Sequence, residues 1–491
     1  MPIFQKKIHN QYDYNLVVIG GGSAGLVSSY IAAAVKSKVA LIEKHKMGGD
    51  CLNTGCVPSK ALLRSAKMLS YAARAKEFGF KSATIDFDFR DVMDRVKKIV
   101  QAIAPHDSIE RYSKLGVDCF TGDAKIISPH EVELDGKILT ARSIIVATGA
   151  RPVLPEIPGL DKVDYVTSDT LWDLKTLPKR LVILGGGPIG AEMAQAFSRL
   201  GSEVTIVQKT PHILMREDEE VIKAVSDKFQ KEGIKILTHH TGKAFIHENG
   251  EDVLLCEHEG PDFKQDVKIA FDKVIIALGR QANVTGFGLE ELGVKIRPQG
   301  TIEADEFLRT NVKNIYVCGD VTGPYQFTHV AAHQAWYASV NALFSPLKKF
   351  KVDYHVIPWA TFTDPEVARV GLNEKDAKNA NIDYEVTTYG IDDLDRAIAD
   401  SENYGFIKVL TVPKKDKILG VTIVGAQAGE LIAEYILAMR HGIGLNKILG
   451  TVHIYPTLSE SNKYVAGNWK RAHAPKLILK IVETFHNWRR G

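Results

Sequence analysis

The chain has 491 residues, 45% hydrophobic and 25% charged, the make-up of an ordinary globular protein long enough for about three domains. Lysine and arginine total 62 against 59 aspartate and glutamate, which leaves no charge excess to drive nucleic-acid binding. The five cysteines (Cys51, Cys56, Cys119, Cys256 and Cys318) are too few for a secreted disulfide scaffold, and Met1 to Tyr14 hold no apolar signal core, so a cytoplasmic setting is expected.

Tyr14 to Ile19 is an apolar run that reads as a buried parallel strand. It leads into Gly20-Gly21-Gly22-Ser23-Ala24-Gly25, in which Gly20, Gly22 and Gly25 make a G-x-G-x-x-G. A small-residue helix to about Lys36 and a strand from Lys38 to Ile42 then deliver Glu43. Such glycines allow a tight turn, close approach of backbone to a pyrophosphate and close helix–strand packing, while the acid binds ribose hydroxyls. With all four parts present this is a dinucleotide site, and the uncharged stretch Leu16 to Val35 is not a membrane span.

The next stretch runs from Gly48 through Cys51, Gly55, Cys56 and Pro58 to Lys60. Side chains five apart on one helix point well away from each other, since each residue turns it by ~100°. Pairing therefore places Cys51 in a loop and Cys56 near the first helical turn, where Pro58 is tolerated. Leu62, Leu63, Ala66 and Leu69 continue at helical spacing. A thiol at a helix N-terminus is made more acidic by the dipole, so the pair reads as redox-active. The alternative is a zinc half-site or an inert core pair, but no second Cys/His pair at ligand spacing accompanies it.

Ala61 to about Lys114 is mainly helical scaffold. Ile144 to Gly149 is a strand ending in a small-residue turn with Thr148 and Gly149, and Pro152, Pro155 and Pro158 stiffen a linker after it. A second nucleotide unit follows: the strand Leu181 to Leu184, the loop carrying Gly185, Gly187 and Gly190, a helix from about Ala191 to Leu200, and the strand Glu203 to Val207. Two units imply two dinucleotides with electrons passing between them. Where an NAD site places an acid, this chain has Gln208, then Lys209 and, farther on, Arg216. These cations either accept a ribose 2′-phosphate or are solvated surface charge.

Ala277-Leu278-Gly279-Arg280 closes this unit, and Asn314 to Asp320 is a strand ending in Gly-Asp. Thr328 is expected as the N-cap of a helix through Ala331, Ala335 and Trp336, with His329 and His333 as packing or hydrogen-bonding residues. From Lys351 the pattern becomes α+β: strands Trp359 to Thr363, Phe406 to Thr411 and Ile418 to Val424, and a helix from Gly429 to Met439. The tail, residues 475–491, lines Leu477, Ile478, Ile481, Val482, Phe485 and Trp488 along one helical face, with Lys476, Lys480, Arg489 and Arg490 among the rest. Such a helix either lies on a membrane surface or packs on its own dimer.

The cysteine stretch, both glycine units, Ile144 to Gly149 and Asn314 to Asp320 together resemble the flavin-dependent pyridine-nucleotide disulfide oxidoreductases, from Tyr14 to about Arg471. The resemblance implies an α/β fold of two Rossmann-like dinucleotide-binding domains plus a C-terminal α+β dimerisation domain. It divides the chain into 14–150 and 281–350 for FAD, 151–280 for NAD(P), 351–471 for dimerisation, and the amphipathic helix 472–491. FAD falls to the first glycine unit, with Asp320 on its ribityl chain, and NAD(P)H to the second, whose domain Gly279 closes. Glu192 is expected to pair with Lys60 beside the flavin, or else to be a first-turn acid favoured by its helix. Cys56 should face the flavin and Cys51 the substrate. Disulfide-reducing relatives have a histidine immediately before the proline that is Pro456 here, oriented by a glutamate five positions later. Glu460 matches, but Tyr455 fills the histidine slot and His453 comes two residues early. Mercuric reductases also have a tyrosine there, together with a C-terminal cysteine pair, whereas no cysteine follows Cys318 in this sequence. The implied activity is that of a homodimer passing electrons from NAD(P)H through FAD and a Cys51–Cys56 disulfide to a small-molecule acceptor: a disulfide, a thiophilic metal ion or a quinone. The alternative is a low-turnover redox sensor or docked flavoprotein subunit.

Overall fold

The computed structural model describes residues 11–259 and 264–491. The reading of the N-terminus rests partly on residues 1–10, which lie outside the described residues. Strand β1 (Tyr14–Ile19), helix α1 (Ser23–Ala34) and strand β2 (Val39–Glu43) form the first glycine unit. Its sheet has the order β3 (Val117–Thr121), β2, β1, β6 (Lys137–Val146), β5 (Glu131–Leu134), β4 (Ala124–Ser128), and Ile315–Val317 joins β6. The pairs among β3, β2, β1, β6 and Ile315–Val317 are parallel, while β4 and β5 return antiparallel. Parallel strands covered on both faces read as unbroken apolar runs, hence the near-complete burial of Leu16 to Ile19 and Val39 to Ile42.

The second unit repeats this plan in a separate parallel sheet ordered Lys235–Thr238, Glu203–Gln208, Arg180–Leu184, Lys273–Ile276, Tyr165–Thr167. A three-stranded antiparallel sheet, His240–Glu248, Glu251–Glu259 and Lys264–Phe271, is inserted between its strands Lys235–Thr238 and Lys273–Ile276. The C-terminal region is a five-stranded antiparallel sheet from Pro358–Thr361 to Glu385–Gly390, packed around Tyr435, Val465 and Trp469. This is the expected α/β architecture with its α+β C-terminal part.

Helices complete the frame. After α2 (Gly49–Asn53) and α3 (Cys56–Ala73) come α4 (Phe89–Ile103), α5 (Ile109–Lys114), α6 (Pro188–Arg199), α7 (Glu219–Lys231) and α8 (Thr328–Phe344). Three local expectations are corrected. Cys51 lies in the short helix α2 and not in a loop, because Gly48 and Gly49 (φ +89° and +56°) turn the chain early. Thr54 and Gly55 then break the helix before α3, so the two cysteines still occupy different helices. Thr328 is the first residue of α8 and not its cap, since the extended residue Phe327 precedes it. The segment Gly429–Met439 is two helices, Ala428–Leu431 and Ala433–Arg440. The tail forms the helix Lys476–Arg490, none of whose residues is buried against the rest of the chain. Among the described residues no helix is long and apolar enough to cross a membrane.

Candidate active site

The cysteine segment is held against the first glycine loop. Gly48 donates its N–H to the Gly21 carbonyl at 2.9 Å, and a Cβ on Gly49 would come within 2.7 Å of the Gly22 Cα. Cys51 and Cys56 are free thiols here, and Cys51 donates a hydrogen bond to Cys56. That bond, with Thr328 Oγ1 at 3.4 Å and the nearby Lys60 ammonium, lowers the Cys56 pKa to about 6 against the cost of burial. The same bond and burial push the Cys51 thiol far up. Cys56 is therefore the sulfur that carries charge when both are reduced. Cys256 and Cys318 are buried, and burial raises each thiol to about 12, which makes them inert.

Lys60 Nζ lies 2.8 Å from Glu192 Oε2, so the expected ion pair is present. Glu192 is buried, and its other oxygen accepts the Phe362 N–H at 2.9 Å. Lys60 also sits 4.3 Å above the Phe362 ring.

The two glycine loops match atom for atom. Glu43 Oε2 accepts the Gly21 N–H at 2.5 Å, and Gln208 Oε1 accepts the Gly186 N–H at 2.7 Å. A Cβ on Gly25 would lie 1.7 Å from the Gly20 carbonyl oxygen, and one on Gly190 would lie 1.9 Å from that of Gly185. Beside Gly187 there is open space, and no acid stands in the first turn of α1 or α6. Both N-termini thus present unshared N–H groups, as a pyrophosphate requires. Lys209 and Arg216 are exposed, and neither side chain has an ion-pair partner among the described residues. The Arg216 segment adjoins the second loop, because Leu214 donates to the Gly186 carbonyl at 2.8 Å.

Thr148 and Gly149 meet the segment after Gly279. Thr148 Oγ1 donates to the Asn283 carbonyl at 2.7 Å, and strands Ala150–Pro152 and Arg280–Ala282 pair antiparallel. Burial raises the Asp320 carboxyl to about 6 against the pull of Arg280, whose Nε is 3.9 Å away. Arg280 also pairs with Asp50 and donates to the Ala150 carbonyl at 2.6 Å. Sequence reasoning passed over Asp50 and the Arg280 link. The signal was an acid beside Cys51 and an arginine beside Gly279, neither of which shows its partner in the sequence.

The structure does not bring Tyr455 or Glu460 to the cysteines within one chain. Tyr455 is 64% exposed and its hydroxyl donates to Asp395 at 2.9 Å. Glu460 is buried and accepts the Thr457 N–H at 3.3 Å. His453 is committed elsewhere, with Nε2 against Glu434 at 3.1 Å and Nδ1 against the Thr451 carbonyl.

Two dinucleotide cradles, the first in contact with the segment that carries a thiol pair, and a lysine–glutamate pair joining that segment to the helix of the second define a flavin-linked dithiol–disulfide oxidoreductase. The chain belongs to the pyridine nucleotide-disulphide oxidoreductases: that family's model matches residues 14–335, and the model of its dimerisation domain matches residues 357–466. It is similar to the mercuric reductase of Staphylococcus aureus (33% identical over 455 residues, 92% of this chain and 82% of that one). It is also similar to the dihydrolipoyl dehydrogenase of Chlamydia pneumoniae (37% over 453 residues, 91% and 95%). Among solved structures, the HOCl-induced flavoprotein disulfide reductase RclA from Escherichia coli superimposes with a TM-score of 0.81 at 27% identity, covering 92% of this chain and 99% of that one. The Cu(II) complex of RclA gives 0.80 over 91% and 98%. This protein is thus an NAD(P)H-dependent, FAD-containing oxidoreductase, and its dimerisation domain supports a homodimer. FAD and NAD(P)H supply the hydride chemistry.

Proposed function

We propose that the acceptor is a thiophilic metal ion or a quinone, with Cys51 meeting it and Cys56 holding the thiolate toward the flavin. The two electrons and one proton of the hydride from NAD(P)H cleave the Cys51–Cys56 disulfide into one thiolate, kept on Cys56 by Thr328 and Lys60, and one thiol on Cys51, which takes the proton. The observation that carries the acceptor class is Tyr455. Releasing a thiol from a substrate disulfide needs a group that accepts and returns a proton near neutral pH. A tyrosine with pKa ~10 is ionised in about one molecule in a thousand at pH 7. The hydrogen bond to Asp395 raises the Tyr455 hydroxyl further. Val452 and Ile454 are 93% and 77% exposed beside it, which suits a loop that reaches the thiol pair of a second subunit. A mercuric reductase among the relatives and a Cu(II) complex among the similar structures agree with a metal acceptor. The test is kcat/KM with glutathione disulfide and lipoamide against Hg(II), Cu(II) and a quinone. Weak turnover of the disulfides is expected, rising in Tyr455→His; a value near ~10⁶ M⁻¹s⁻¹ for either disulfide in the wild type overturns the reading.

The exposed Lys209 and Arg216, together with Gln208 in the acid position, support a preference for NADPH of about tenfold. Equal or better kcat/KM with NADH refutes it. The C-terminal helix supports peripheral contact of a cytoplasmic enzyme with an anionic membrane. Residues 476–490 hold four Lys/Arg against Glu483 alone, and Leu477 and Trp488 are 74% and 75% exposed. Holoenzyme should sediment with phosphatidylserine vesicles and not with phosphatidylcholine alone. Absence of binding to both leaves the helix to the dimer.

A further inference from the structure

A cavity of about 360 Å³ lies between α3 and α4 and opens on Cys56. Its α3 wall carries Cys56, Lys60 and Arg64, and its α4 wall carries Arg95, Ile99 and Ile103. Cys56, Lys60 and Arg64 are spaced by four, so they form one stripe, each residue about one turn beyond the last. Helix side chains lean toward the helix N-terminus, which here is the cysteine end.

The charges on these walls are unbalanced. No aspartate or glutamate lines the cavity. Lys60 is neutralised by Glu192 at 2.8 Å. Arg64 is exposed, and its side chain has no ion-pair or hydrogen-bond partner among the described residues. Arg95 donates from Nη1 to the Ala61 carbonyl at 2.8 Å and to Ser65 Oγ at 3.0 Å. These two bonds fix the guanidinium on α3 without supplying it a counter-charge. Ile99 and Ile103 add an apolar surface beside the cations. A groove of this kind favours a small molecule with a negative group and an apolar body.

We infer that the electron acceptor comes in as an anion, drawn by Arg64 and Arg95 along this groove to its Cys56 end, from which it passes to Cys51, the thiol that meets it. This rests on the reading that the pair passes electrons to a small acceptor, and it narrows that acceptor's class. A bare divalent metal ion is repelled by the two guanidinium groups, so a metal acceptor arrives as an anionic complex with thiolate or carboxylate ligands. A quinone acceptor carries an acidic substituent.

The test compares two alkylating probes that differ only in charge. NADPH-reduced holoenzyme is treated with iodoacetate or iodoacetamide, and labelling of the Cys51–Cys56 peptide is timed by mass spectrometry. The ratio of the iodoacetate rate to the iodoacetamide rate should fall about tenfold in Arg64→Glu and severalfold in Arg64→Gln. Added 0.5 M NaCl should lower it in the wild type. The iodoacetamide rate should stay within about twofold throughout, which shows that the variants are folded and their thiols reachable. An unchanged ratio in both variants overturns the inference. A second arm measures KM for 1,4-naphthoquinone and its 2-sulfonate. Arg64→Glu should raise the sulfonate's KM about tenfold and leave the neutral quinone's unchanged; equal effects on the two overturn the inference. Should the enzyme reduce neither quinone nor a metal complex, the acceptor reading fails, while the alkylation ratio still decides the charge selectivity of the groove.

Discussion

At the scale of single residues the active site is a charge-management problem. Cys56 is held as thiolate by a hydrogen bond from Cys51, by Thr328 and by Lys60. Because its pKa lies at about 6, below that of a free thiol, the charged form fills as pH rises through that value. In the two-electron-reduced enzyme, a long-wavelength band from thiolate against flavin should appear with a midpoint near 6 and be lost below it. Lys60→Met should move the midpoint upward, since it removes a cation that favours the thiolate. Cys51→Ser should show the band without reduction, and Cys56→Ser should lack it; pH-resolved absorbance distinguishes these, and the reverse assignment of the two variants refutes the roles given. The Lys60–Glu192 pair was readable in the sequence because each residue sits at a fixed offset within a motif. Asp395, the partner of Tyr455, was not, because sixty residues separate them and nothing local links the two.

At the scale of elements the two glycine units were the most legible part of the chain. Strand, loop and helix are each set by local sterics, and the predicted bounds of β1 coincide with the observed Tyr14–Ile19. The same sterics give a sharp prediction. Gly25→Ala and Gly190→Ala each force a methyl onto a backbone carbonyl less than 2 Å away, a clash that only a shift of the loop relieves. Gly25→Ala should lose FAD, seen as loss of flavin absorbance after desalting. Gly190→Ala should keep the flavin spectrum but raise KM for NADPH at least tenfold. If both variants fail in the same way, the assignment of one dinucleotide to each loop is wrong. Helix ends were less legible. Thr328 has the chemistry of a cap, but its hydroxyl lies against Cys56, a contact set by the tertiary fold that brings the starts of α8 and α3 together and not by the neighbours of Thr328 in sequence. Likewise α2 depends on two glycines with positive φ whose role becomes visible only where they touch Gly21 and Gly22.

At the scale of the whole molecule, residues 362–364 are where three parts of the chain meet. Phe362 donates its N–H to Glu192 of α6, which in turn holds Lys60 of α3. Asp364 pairs with Arg199 of α6 at 2.8 Å and lies 4.0 Å from Lys67 of α3; its backbone N–H donates to Gln195 Oε1, and its carbonyl accepts from Gln195 Nε2. Against the cost of burial, Lys67 and Arg199 hold the Asp364 carboxyl down at about 2. A depressed carboxyl stabilises the fold above its ordinary pKa and loses that contribution as pH falls toward the folded value. Asp364→Asn should therefore cost about 2 kcal/mol at pH 7, with the gap to wild type narrowing as pH drops from about 4 toward 2. Calorimetry at pH 7 and pH 3 measures it, and a gap that stays constant refutes the electrostatic account.

The clasp at residues 362–364 also bears on how the enzyme spends its time in turnover. Helix α6, whose N-terminus opens the second glycine loop, is tied at Glu192, Gln195 and Arg199 to parts of the chain outside its own sheet. These ties predict that the second glycine loop stands in its working place before the electron donor arrives, with no swing of a lid or lobe after docking. Thickening the solvent with glycerol should leave single-turnover reduction of the flavin unslowed, whereas loosening the seam with Asp364→Asn should make that step sensitive to viscosity.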